Sequence, residues 1–344
     1  MTAVDLLVPE LREHDATGAH TLLLRDLLAD HGAGPIRFVT QIPTTTAEEV
    51  TLVDDWKAPA DLVILQHGIG SFVAEAVIQQ RVPCVLNYHN ITPAEFLEPW
   101  DPGLIPGLRW GRSQLDQLAP FTIRAVADSA YNAAELRAVG IDDVRVSPVM
   151  WRLGGDGPAP ADDREPIVLF VGRVVSNKRH EDLVASMAMV HDAHPDARLV
   201  LVGSPSIDAY GRALTALIDR LGLGDVVEFT GPVSDAELAA WYRRASVFLC
   251  LSEHEGFCVP VVEAMAAGLP VVGFRAAAVP ETIAGAGIVL GDKRPVTVAE
   301  AVGRLLADPT LWGALAEAGA RRAGDFALDR TQVAMWDALQ GLVR

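Results

Sequence analysis

Cysteine is scarce in this sequence of 344 residues, which contains only Cys84, Cys250 and Cys258. Three thiols cannot all pair in disulfides, and no two of them have the CxxC spacing of a zinc ribbon or a thioredoxin-type redox centre. Cys84 and Cys250 lie in apolar, strand-like runs, so we expect both to be ordinary core residues. The sequence therefore excludes a disulfide-stapled domain and gives no sign of a cysteine nucleophile.

Basic residues are also few, with 28 Lys and Arg against 45 Asp and Glu and a formal net charge of −17. A nucleic-acid surface needs clustered Lys and Arg to displace counterions from phosphates, so we expect no nucleic-acid partner. The sequence lacks the ~18 consecutive apolar residues of a spanning helix, and its start lacks the pattern of a secretory leader. We expect a cytoplasmic protein without a transmembrane segment, and peripheral membrane contact stays open.

Hydrophobic residues, in contrast, are abundant and make up half of the sequence. A length of 344 residues suits two domains better than a single core. Strand-like and helical segments alternate through residues 3–147 and again through 167–290, which is the pattern of βαβ units. The intervening residues 154–166, GGDGPAPADDREP, have the composition of a linker. We predict an amino-terminal domain over 1–152 and a carboxy-terminal domain over 153–328.

The predicted strands form two sets of six, one in each domain. They are Ala3–Val8, Pro35–Thr40, Leu62–His67, Val82–Asn87, Ile123–Asp128, Val144–Ser147, Ile167–Gly172, Ala197–Gly203, Val226–Phe229, Val247–Leu251, Pro270–Phe274 and Gly287–Leu290. The last segment, Asp329–Arg344, carries apolar residues at near-helical spacing and is predicted to be an amphipathic helix. By its own residues, this helix could cap the second domain.

Two glutamates, Glu255 and Glu263, lie in the stretch VFLCLSEHEGFCVPVVEAMAAGLPVVGFR. The pattern predicts that Glu255 follows a buried strand and that Glu263 lies in the next helix. Ligands of open parallel sheets bind beyond the carboxyl ends of the strands, and a carboxylate can accept hydrogens from two hydroxyls at once. The pair could therefore hold a sugar or ribose diol, although an exposed Glu255 and a Glu263 that favours the helix dipole would give the same pattern.

Two cations, Arg173 and Lys178, stand just beyond the predicted strand IVLFVG, in a loop that leads into a helix starting near Arg179. The fork of an arginine, the point charge of a lysine and the free N–H groups of a helix amino terminus suit a diphosphate. The competing interpretation is a solvated pair of basic residues. Asn177 and Arg179 are candidates for supporting residues.

Gly18 and His89 are candidates in the amino-terminal half. Gly18 lies in HDATGAH between a strand and a helix, where a residue without a side chain allows backbone N–H groups to approach a phosphate, or simply makes a turn. His89 opens the loop YHNITP after a strand, where it could contact a ligand or satisfy local backbone groups. The segment HGIGSF lacks the third glycine and the downstream acid of a dinucleotide fingerprint, which excludes NAD and FAD.

The order of residues in HEGFCVPVVEAMAAGLPVV resembles the signature of the family 4 glycosyltransferases, which have the GT-B fold of two Rossmann-like domains facing each other across a cleft. FVGRVVSNKRHEDLVAS, FTGPVSDAELAAWYRRAS and VPETIAGAGIVL are similar to further elements of that family. Together they cover most of residues 166–342. DATGAH and YHNITPAEFL give a weaker match in the amino-terminal half, and the resemblance implies that the last helix passes back to that half.

The resemblance implies roles for the matched residues. Arg173 and Lys178 would contact the diphosphate of a nucleotide-sugar donor and stabilise the leaving group. Glu255 would bind the sugar hydroxyls and Glu263 the ribose hydroxyls, and His89 would lie near the donor sugar. The remaining donor-binding candidates are Gly18, Val233, Gly256, Phe257 and Cys258. At Cys258 the family more often has a small residue, so we expect that side chain to pack.

The implied reaction is transfer of a hexosyl group, with retention of configuration, from a GDP- or UDP-hexose to a hydroxyl of a saccharide or glycolipid precursor. No Asp-x-Asp triplet occurs in the sequence, so we expect neither a metal nor another cofactor, and the two cations would take the metal's electrostatic role. Alternatives are transfer to a small secondary-metabolite polyol, a sugar-nucleotide epimerase, and a non-catalytic sugar-nucleotide-binding protein. A phosphorylase-like enzyme would need a much longer chain.

Overall fold

The computed structural model describes residues 1–12, 15–44, 46, 48–154, 164–204 and 208–343. The chain divides into two compact units. The first comprises Met1–Ala94, Gly103–Arg152 and Ala327–Arg344, and the second comprises Glu95–Pro102 and Leu153–Phe326. Residues 155–163 of the predicted linker lie outside the described residues.

The first unit contains a parallel sheet of seven strands in the order β3-β2-β1-β4-β5-β6-β7. Its strands are β1 Val4–Leu7, β2 Ile36–Thr40, β3 Val50–Leu52, β4 Leu62–His67, β5 Cys84–Tyr88, β6 Thr122–Ala127 and β7 Val144–Val146. The helices that connect them are α1 Ala16–Asp30, α2 Phe72–Gln80, α3 Ile105–Leu118 and α4 Ala130–Ala138. The central strands are buried throughout, as expected for a parallel sheet covered on both faces.

Short polar side chains begin three of the four connecting helices of this unit, α1, α2 and α4. Asp15 accepts a hydrogen bond from the backbone of α1, Ser71 caps α2 and Ser129 caps α4, each through its side-chain oxygen. Such caps satisfy amide groups that have no partner inside the helix. They fix where each helix starts and therefore where each loop at the carboxyl edge of the sheet ends.

The second unit contains a parallel sheet of six strands in the order β10-β9-β8-β11-β12-β13. Its strands are β8 Ile167–Val171, β9 Arg198–Val202, β10 Val227–Gly231, β11 Val247–Cys250, β12 Val271–Phe274 and β13 Ile288–Leu290. Its helices are α5 His180–Ala193, α6 Asp208–Leu221, α7 Asp235–Arg244, α8 Val259–Ala266, α9 Val279–Ile283, α10 Pro295–Ala307 and α11 Pro309–Ala323.

The strand order of the second unit reverses direction between β8 and β11, which are hydrogen-bonded neighbours. Phe170, Leu201 and Leu249 from three adjacent strands are buried in one core cluster that includes side chains of α5 and α10. A reversal of strand order opens a crevice beyond the carboxyl ends of the two strands concerned. The loops that follow β8 and β11 therefore start side by side.

The last helix, α12 Leu328–Leu339, belongs to the first unit. Met335, Ala338 and Leu339 are buried in the same core cluster as the strand β1. Arg124 of β6 donates a hydrogen bond to the carbonyl oxygen of Ala338 at 3.1 Å. The chain thus returns to its first sheet after completing the second.

All twelve predicted strands are present, but two features differ from the sequence analysis. The strand β3 was not predicted, because it has three residues and lies at the edge of the sheet, partly exposed. Residues 95–102 were placed in the amino-terminal domain, whereas by their contacts they belong to the second unit. There the Trp100 ring packs 5.2 Å from the Tyr210 ring. Within the described residues, we find no helix with the length and apolar composition needed to cross a bilayer.

Candidate functional site

The loop after β8 brings Lys178 to the loop after β11. Ser176–Lys178 form one turn of 3-10 helix, Arg179 takes a left-handed conformation, and α5 follows. Lys178 Nζ donates to Glu255 Oε1 at 2.5 Å. The structure therefore joins two residues that the sequence analysis had selected for different parts of one ligand.

This ion pair is largely buried, with 19% of the Lys178 side chain and 10% of the Glu255 side chain exposed. Burial alone would lower the pKa of Lys178, but the neighbouring Glu255 carboxylate outweighs that effect and the pKa is raised. Lys178 is thus a fixed positive charge at neutral pH. An ammonium has three N–H donors, so one bond to Glu255 leaves two for another acceptor.

Further hydrogen bonds hold the two loops together. Asn177 Nδ2 donates to the carbonyl oxygen of His254 at 3.1 Å, and the Glu253 amide donates to the carbonyl oxygen of Asn177 at 2.9 Å. Ser176 Oγ donates to the carbonyl oxygen of Phe96 at 2.5 Å, within segment 95–102. This support from residues 95–102 is not predicted by the sequence, because nothing in the local pattern shows that they join the second unit.

The two arginines of the first loop differ in their surroundings. Arg173 is exposed, and its guanidinium forms no ion pair with any residue that the structure describes. Arg179 is paired with Glu181 at 3.0 Å and with Asp182 at 3.0 Å. Arg179 Nε also lies 3.7 Å from Glu253 Oε1. Arg173 is therefore available to an anionic ligand, whereas the predicted supporting role of Arg179 would compete with three carboxylates.

Glu263 is the fifth residue of α8, as predicted, and is half-buried. Its Oε2 accepts a hydrogen bond from the Tyr242 hydroxyl of α7 at 2.8 Å. Burial and the Glu263 charge raise the pKa of Tyr242 well above its ordinary value, so the phenol remains a donor. Tyr242 orients this carboxylate, and the sequence analysis did not identify it.

Cys258 precedes α8 in a left-handed backbone conformation with φ 75° and is buried, in agreement with the predicted packing role. Its Sγ lies 4.0 Å from Cys250 Sγ. Ligand atoms of Cys250, Cys258 and Glu255 lie within 4.8 Å of one another, as in some metal sites. However, the Glu255 carboxylate is already paired with Lys178, and the contact with Cys250 together with burial raises the pKa of Cys258 well above its ordinary value. This arrangement favours a neutral thiol over a metal-binding thiolate.

Other predicted donor-binding residues occupy the surrounding loops. The Phe257 ring is buried edge-on against Phe326, with centroids 5.2 Å apart, and its carbonyl oxygen accepts a hydrogen bond from Thr282 Oγ1 at 2.6 Å, so this residue packs within the second unit. Gly256 lies between Phe257 and Glu255. Val233 is half-buried between β10 and α7, and the next residue, Ser234, forms a capping box with Glu237 at the start of α7.

Gly18 occupies a different place from the one the sequence analysis gave it. It is the third residue of α1, and its N–H already donates to Asp15 Oδ1 at 2.8 Å. A Cβ built on Gly18 would lie 1.8 Å from the carbonyl oxygen of Arg12. The close approach that requires glycine here is therefore to the backbone of the chain itself.

His89 follows β5, as predicted, and its ring lies among side chains. Nδ1 lies 3.0 Å from Asp128 Oδ2, and Nε2 lies 2.7 Å from Gln66 Oε1. Both ring nitrogens therefore have partners, and neither partner is a backbone group. The sequence predicts either a ligand or local backbone groups as partners of this ring.

Comparison with known proteins identifies the family. Residues 157–322, which include Arg173, Lys178, Glu255 and Glu263, match the family model described as glycosyl transferases group 1. This segment belongs to the group 1 glycosyltransferases. The resemblance to the family 4 enzymes is thereby confirmed for the half of the chain that carries the paired loops.

The curated relatives that resemble this chain include two D-inositol 3-phosphate glycosyltransferases. The D-inositol 3-phosphate glycosyltransferase of Streptomyces bingchenggensis is 30% identical over 250 residues, covering 67% of this chain and 55% of the relative. That of Segniliparus rotundus is 32% identical over 208 residues, covering 58% and 46%. The chain spans about half the length of the curated relatives it matches.

Solved glycosyltransferase structures share the whole fold. Sucrose-phosphate synthase from Thermosynechococcus elongatus superposes with a TM-score of 0.79 at 21% identity, covering 99% of both chains. Anabaena HepE in complex with UDP-glucose gives 0.75 at 17% identity, covering 98% of this chain and 99% of the other. The lipopolysaccharide glycosyltransferase WaaG gives 0.70 at 15% identity, covering 98% and 100%. These likenesses confirm the predicted GT-B fold.

Proposed function

We propose that this chain transfers a hexosyl group from a nucleoside-diphosphate sugar to an acceptor hydroxyl, with the anomeric configuration retained. The observation that carries the proposal is the Lys178–Glu255 pair, with Nζ and Oε1 2.5 Å apart, beyond the carboxyl ends of β8 and β11. A cation for a diphosphate and a carboxylate for hydroxyls are the two groups that such a donor needs side by side.

The diphosphate lies, in this proposal, against Lys178 and Arg173. Lys178 keeps two N–H donors beyond its bond to Glu255, and the exposed Arg173 guanidinium adds a fork of donors. Negative charge grows on the departing diphosphate in the transition state, so fixed cations there lower the barrier. We propose that these two side chains act without a metal ion.

The hydroxyl groups of the donor bind, in this proposal, to the two glutamates. Glu255 accepts hydrogens from the transferred sugar, and its bond to Lys178 holds the carboxylate in one orientation. Glu263 accepts hydrogens from the ribose, with the Tyr242 hydroxyl fixing its Oε2. A carboxylate offers about four lone-pair positions, so one fixed hydrogen bond is compatible with binding a diol. A contact of His89 with the donor sugar is part of the same proposal.

The proposed reaction breaks the bond between the anomeric carbon and the phosphate oxygen and forms a bond from that carbon to the acceptor oxygen on the same face. The acceptor proton passes to the departing phosphate oxygen, so no protein base is needed. Glu255 holds donor hydroxyls and does not attack the sugar, which separates this mechanism from that of glycosidases with two facing carboxylates.

The identities of the donor and of the acceptor are further parts of this proposal. UDP-hexose is the first donor to test, because the structurally similar HepE was crystallised with UDP-glucose, and GDP-hexose is the second. The proposed acceptor is a saccharide or glycolipid precursor. A small polyol is the second candidate, favoured by the D-inositol 3-phosphate glycosyltransferases among the relatives.

A thermal-shift screen with UDP, GDP and their hexoses tests donor binding, because a ligand that binds only the folded state raises the melting temperature. Slow hydrolysis of the bound donor, followed with a radiolabelled hexose, then separates an enzyme from a non-catalytic binding protein. We expect both a shift and hydrolysis with one nucleotide series. The absence of a shift with every nucleotide would refute the proposal, and binding without hydrolysis or transfer would favour the non-catalytic alternative.

A further inference from the structure

A chain of buried polar side chains runs through the first unit at the carboxyl ends of β4, β5 and β6. It contains Gln66 of β4, Asn87 of β5, Asp128 just after β6, His20 of α1, and His89. The first four are at most 3% exposed, and the His89 side chain is 8% exposed. Buried polar groups must satisfy one another's hydrogen bonds, so their donor and acceptor roles can be worked out from any atom of known role.

The distances define the order in which these polar side chains are linked by hydrogen bonds. The Met150 amide donates to His20 Nδ1 at 3.0 Å, and His20 Nε2 lies 2.7 Å from the Asn87 amide group. The Asn87 amide group lies 2.9 Å from that of Gln66. Gln66 in turn lies 2.7 Å from His89 Nε2, and His89 Nδ1 lies 3.0 Å from Asp128 Oδ2.

The hydrogen-bonding role of the Met150 backbone N–H is certain, because this group can only donate. His20 Nδ1 must therefore accept, and a neutral imidazole then carries its proton on Nε2. Burial, with a smaller effect of His89, lowers the pKa of His20 well below its ordinary value, which agrees with a neutral ring. The atom of Asn87 that faces His20 Nε2 must consequently be an acceptor.

These roles require the Asn87 amide to present its oxygen to His20, and therefore require a half-turn of both the Asn87 and the Gln66 amide group. Asn87 presents Nδ2 to His20, while its Oδ1 is buried without a partner among the described residues, as is Gln66 Nε2. A planar amide has the same shape after a half-turn, so partners decide which atom is oxygen. With Asn87 turned, its oxygen accepts from His20 and faces Gln66, which must then present its nitrogen.

The turned Gln66 amide donates to Asn87 Oδ1 and to His89 Nε2, so His89 Nε2 is an acceptor. We infer that His89 is a neutral imidazole with its proton on Nδ1, directed at Asp128, and that Gln66, Asn87 and His20 are positioning residues that hold it so. An imidazolium at His89 would need an oxygen from Gln66, which would face the oxygen of Asn87 at 2.9 Å. The other titratable groups near His89 are His20 and His67.

The consequence for catalysis rests on the proposed function. His89 then meets the donor as an uncharged ring that donates no proton from Nε2, and the charge on the leaving diphosphate is left to Arg173 and Lys178. Gln66→Glu reverses this state, because a carboxylate accepts from His89 Nε2–H and favours the imidazolium. Gln117→Glu, at an exposed position of α3, is the matched control.

Long-range proton–nitrogen NMR of the ¹⁵N-labelled full chain reads the tautomer without reference to activity. His89→Gln and His20→Gln variants assign the two rings by loss of their signals. We expect His89 protonated on Nδ1 and His20 on Nε2 at neutral pH. An Nε2–H or doubly protonated His89 in the unsubstituted protein would overturn the inference, whether or not any variant folds.

Transfer assays test the positioning role separately. Gln66→Glu should give a doubly protonated His89 in the same spectrum and lower kcat at least 10-fold, whereas Gln117→Glu should leave both unchanged. Normal turnover in a folded Gln66→Glu protein would overturn the positioning role. If the unsubstituted chain transfers no sugar, the proposed function fails, and the spectrum alone still decides the tautomer.

Discussion

Lys178 Nζ and Glu255 Oε1 lie 2.5 Å apart although the two residues are 77 positions apart in sequence. Each stands on a loop that follows one of two neighbouring strands, so the sheet order of the second unit brings them together. The pair is largely buried. Removal of either partner would leave a largely buried charge without compensation.

Single and double substitutions of this pair should therefore differ in stability. We expect Lys178→Met or Glu255→Leu alone to lower the free energy of unfolding by about 3 kcal/mol, because each leaves one buried charge unpaired. The double variant should recover most of that loss while remaining inactive. Urea unfolding of the three proteins measures this, and losses that simply add in the double variant would show that the pair is not coupled.

Tyr242→Phe tests the orientation of Glu263. The substitution removes only the hydroxyl that donates to Oε2 at 2.8 Å. A hydrogen bond to a charged group contributes about 1.5 to 3 kcal/mol, so we expect the KM for the donor to rise about 10-fold or more. Tyr131→Phe in the first unit is the control. Equal donor KM values in the two variants would contradict a role for Tyr242 in donor binding.

The sequence was sufficient to predict the positions of those site residues that lie on one motif. Glu255 and Glu263 follow a strand and enter a helix as their local pattern predicts, and the strand runs identify both sheets. Tyr242 could not be predicted, because its hydrogen bond to Glu263 depends on how α7 packs against α8 and not on spacing along the chain.

Segment 95–102 was misplaced for a similar reason. Its neighbours in sequence belong to the first unit, whereas Phe96 and Trp100 are held by Ser176 and Tyr210 of the second. Composition and periodicity predict local structure and do not predict such tertiary contacts. Gly18 shows the same limit, since the atom that requires a glycine there is the carbonyl oxygen of Arg12.

Gly18→Ala should destabilise the chain strongly. Its Cβ would lie 1.8 Å from the Arg12 carbonyl oxygen, which forces a shift of the backbone, and we expect a loss of about 2 kcal/mol or more. Gly313→Ala in α11 is the matched control, because nothing lies within 4 Å of its Cβ. That change should stabilise by up to about 1 kcal/mol. Chemical denaturation compares them, and equal effects would contradict the proposed crowding at Gly18.

Stability should fall in mild acid because the fold buries His20, His67 and His180 and lowers the pKa of each. Burial lowers the pKa of His67 to about 4 and that of His180 to about 3. Between pH 6.5 and these values the unfolded chain binds protons that the folded chain does not, so stability rises with pH there. Each histidine contributes up to about 1.4 kcal/mol per pH unit.

Urea unfolding at pH 7.5, 6 and 5 measures this slope. In His180→Leu the slope should decrease by about one proton, since the substituted side chain no longer titrates. An unchanged slope in that variant would show that His180 is not kept neutral by the fold.

The most direct test of the account is the transfer rate of Arg173→Ala with the donor that the thermal-shift screen identifies. Arg173 is exposed and forms no ion pair with described residues, so its loss should leave the melting temperature unchanged. Arg179→Ala, at a cation already paired with Glu181 and Asp182, is the control. We expect kcat to fall by about 100-fold or more in Arg173→Ala and by far less in Arg179→Ala. A folded Arg173→Ala protein that transfers sugar at the unsubstituted rate would contradict the claim that side-chain cations stabilise the leaving diphosphate.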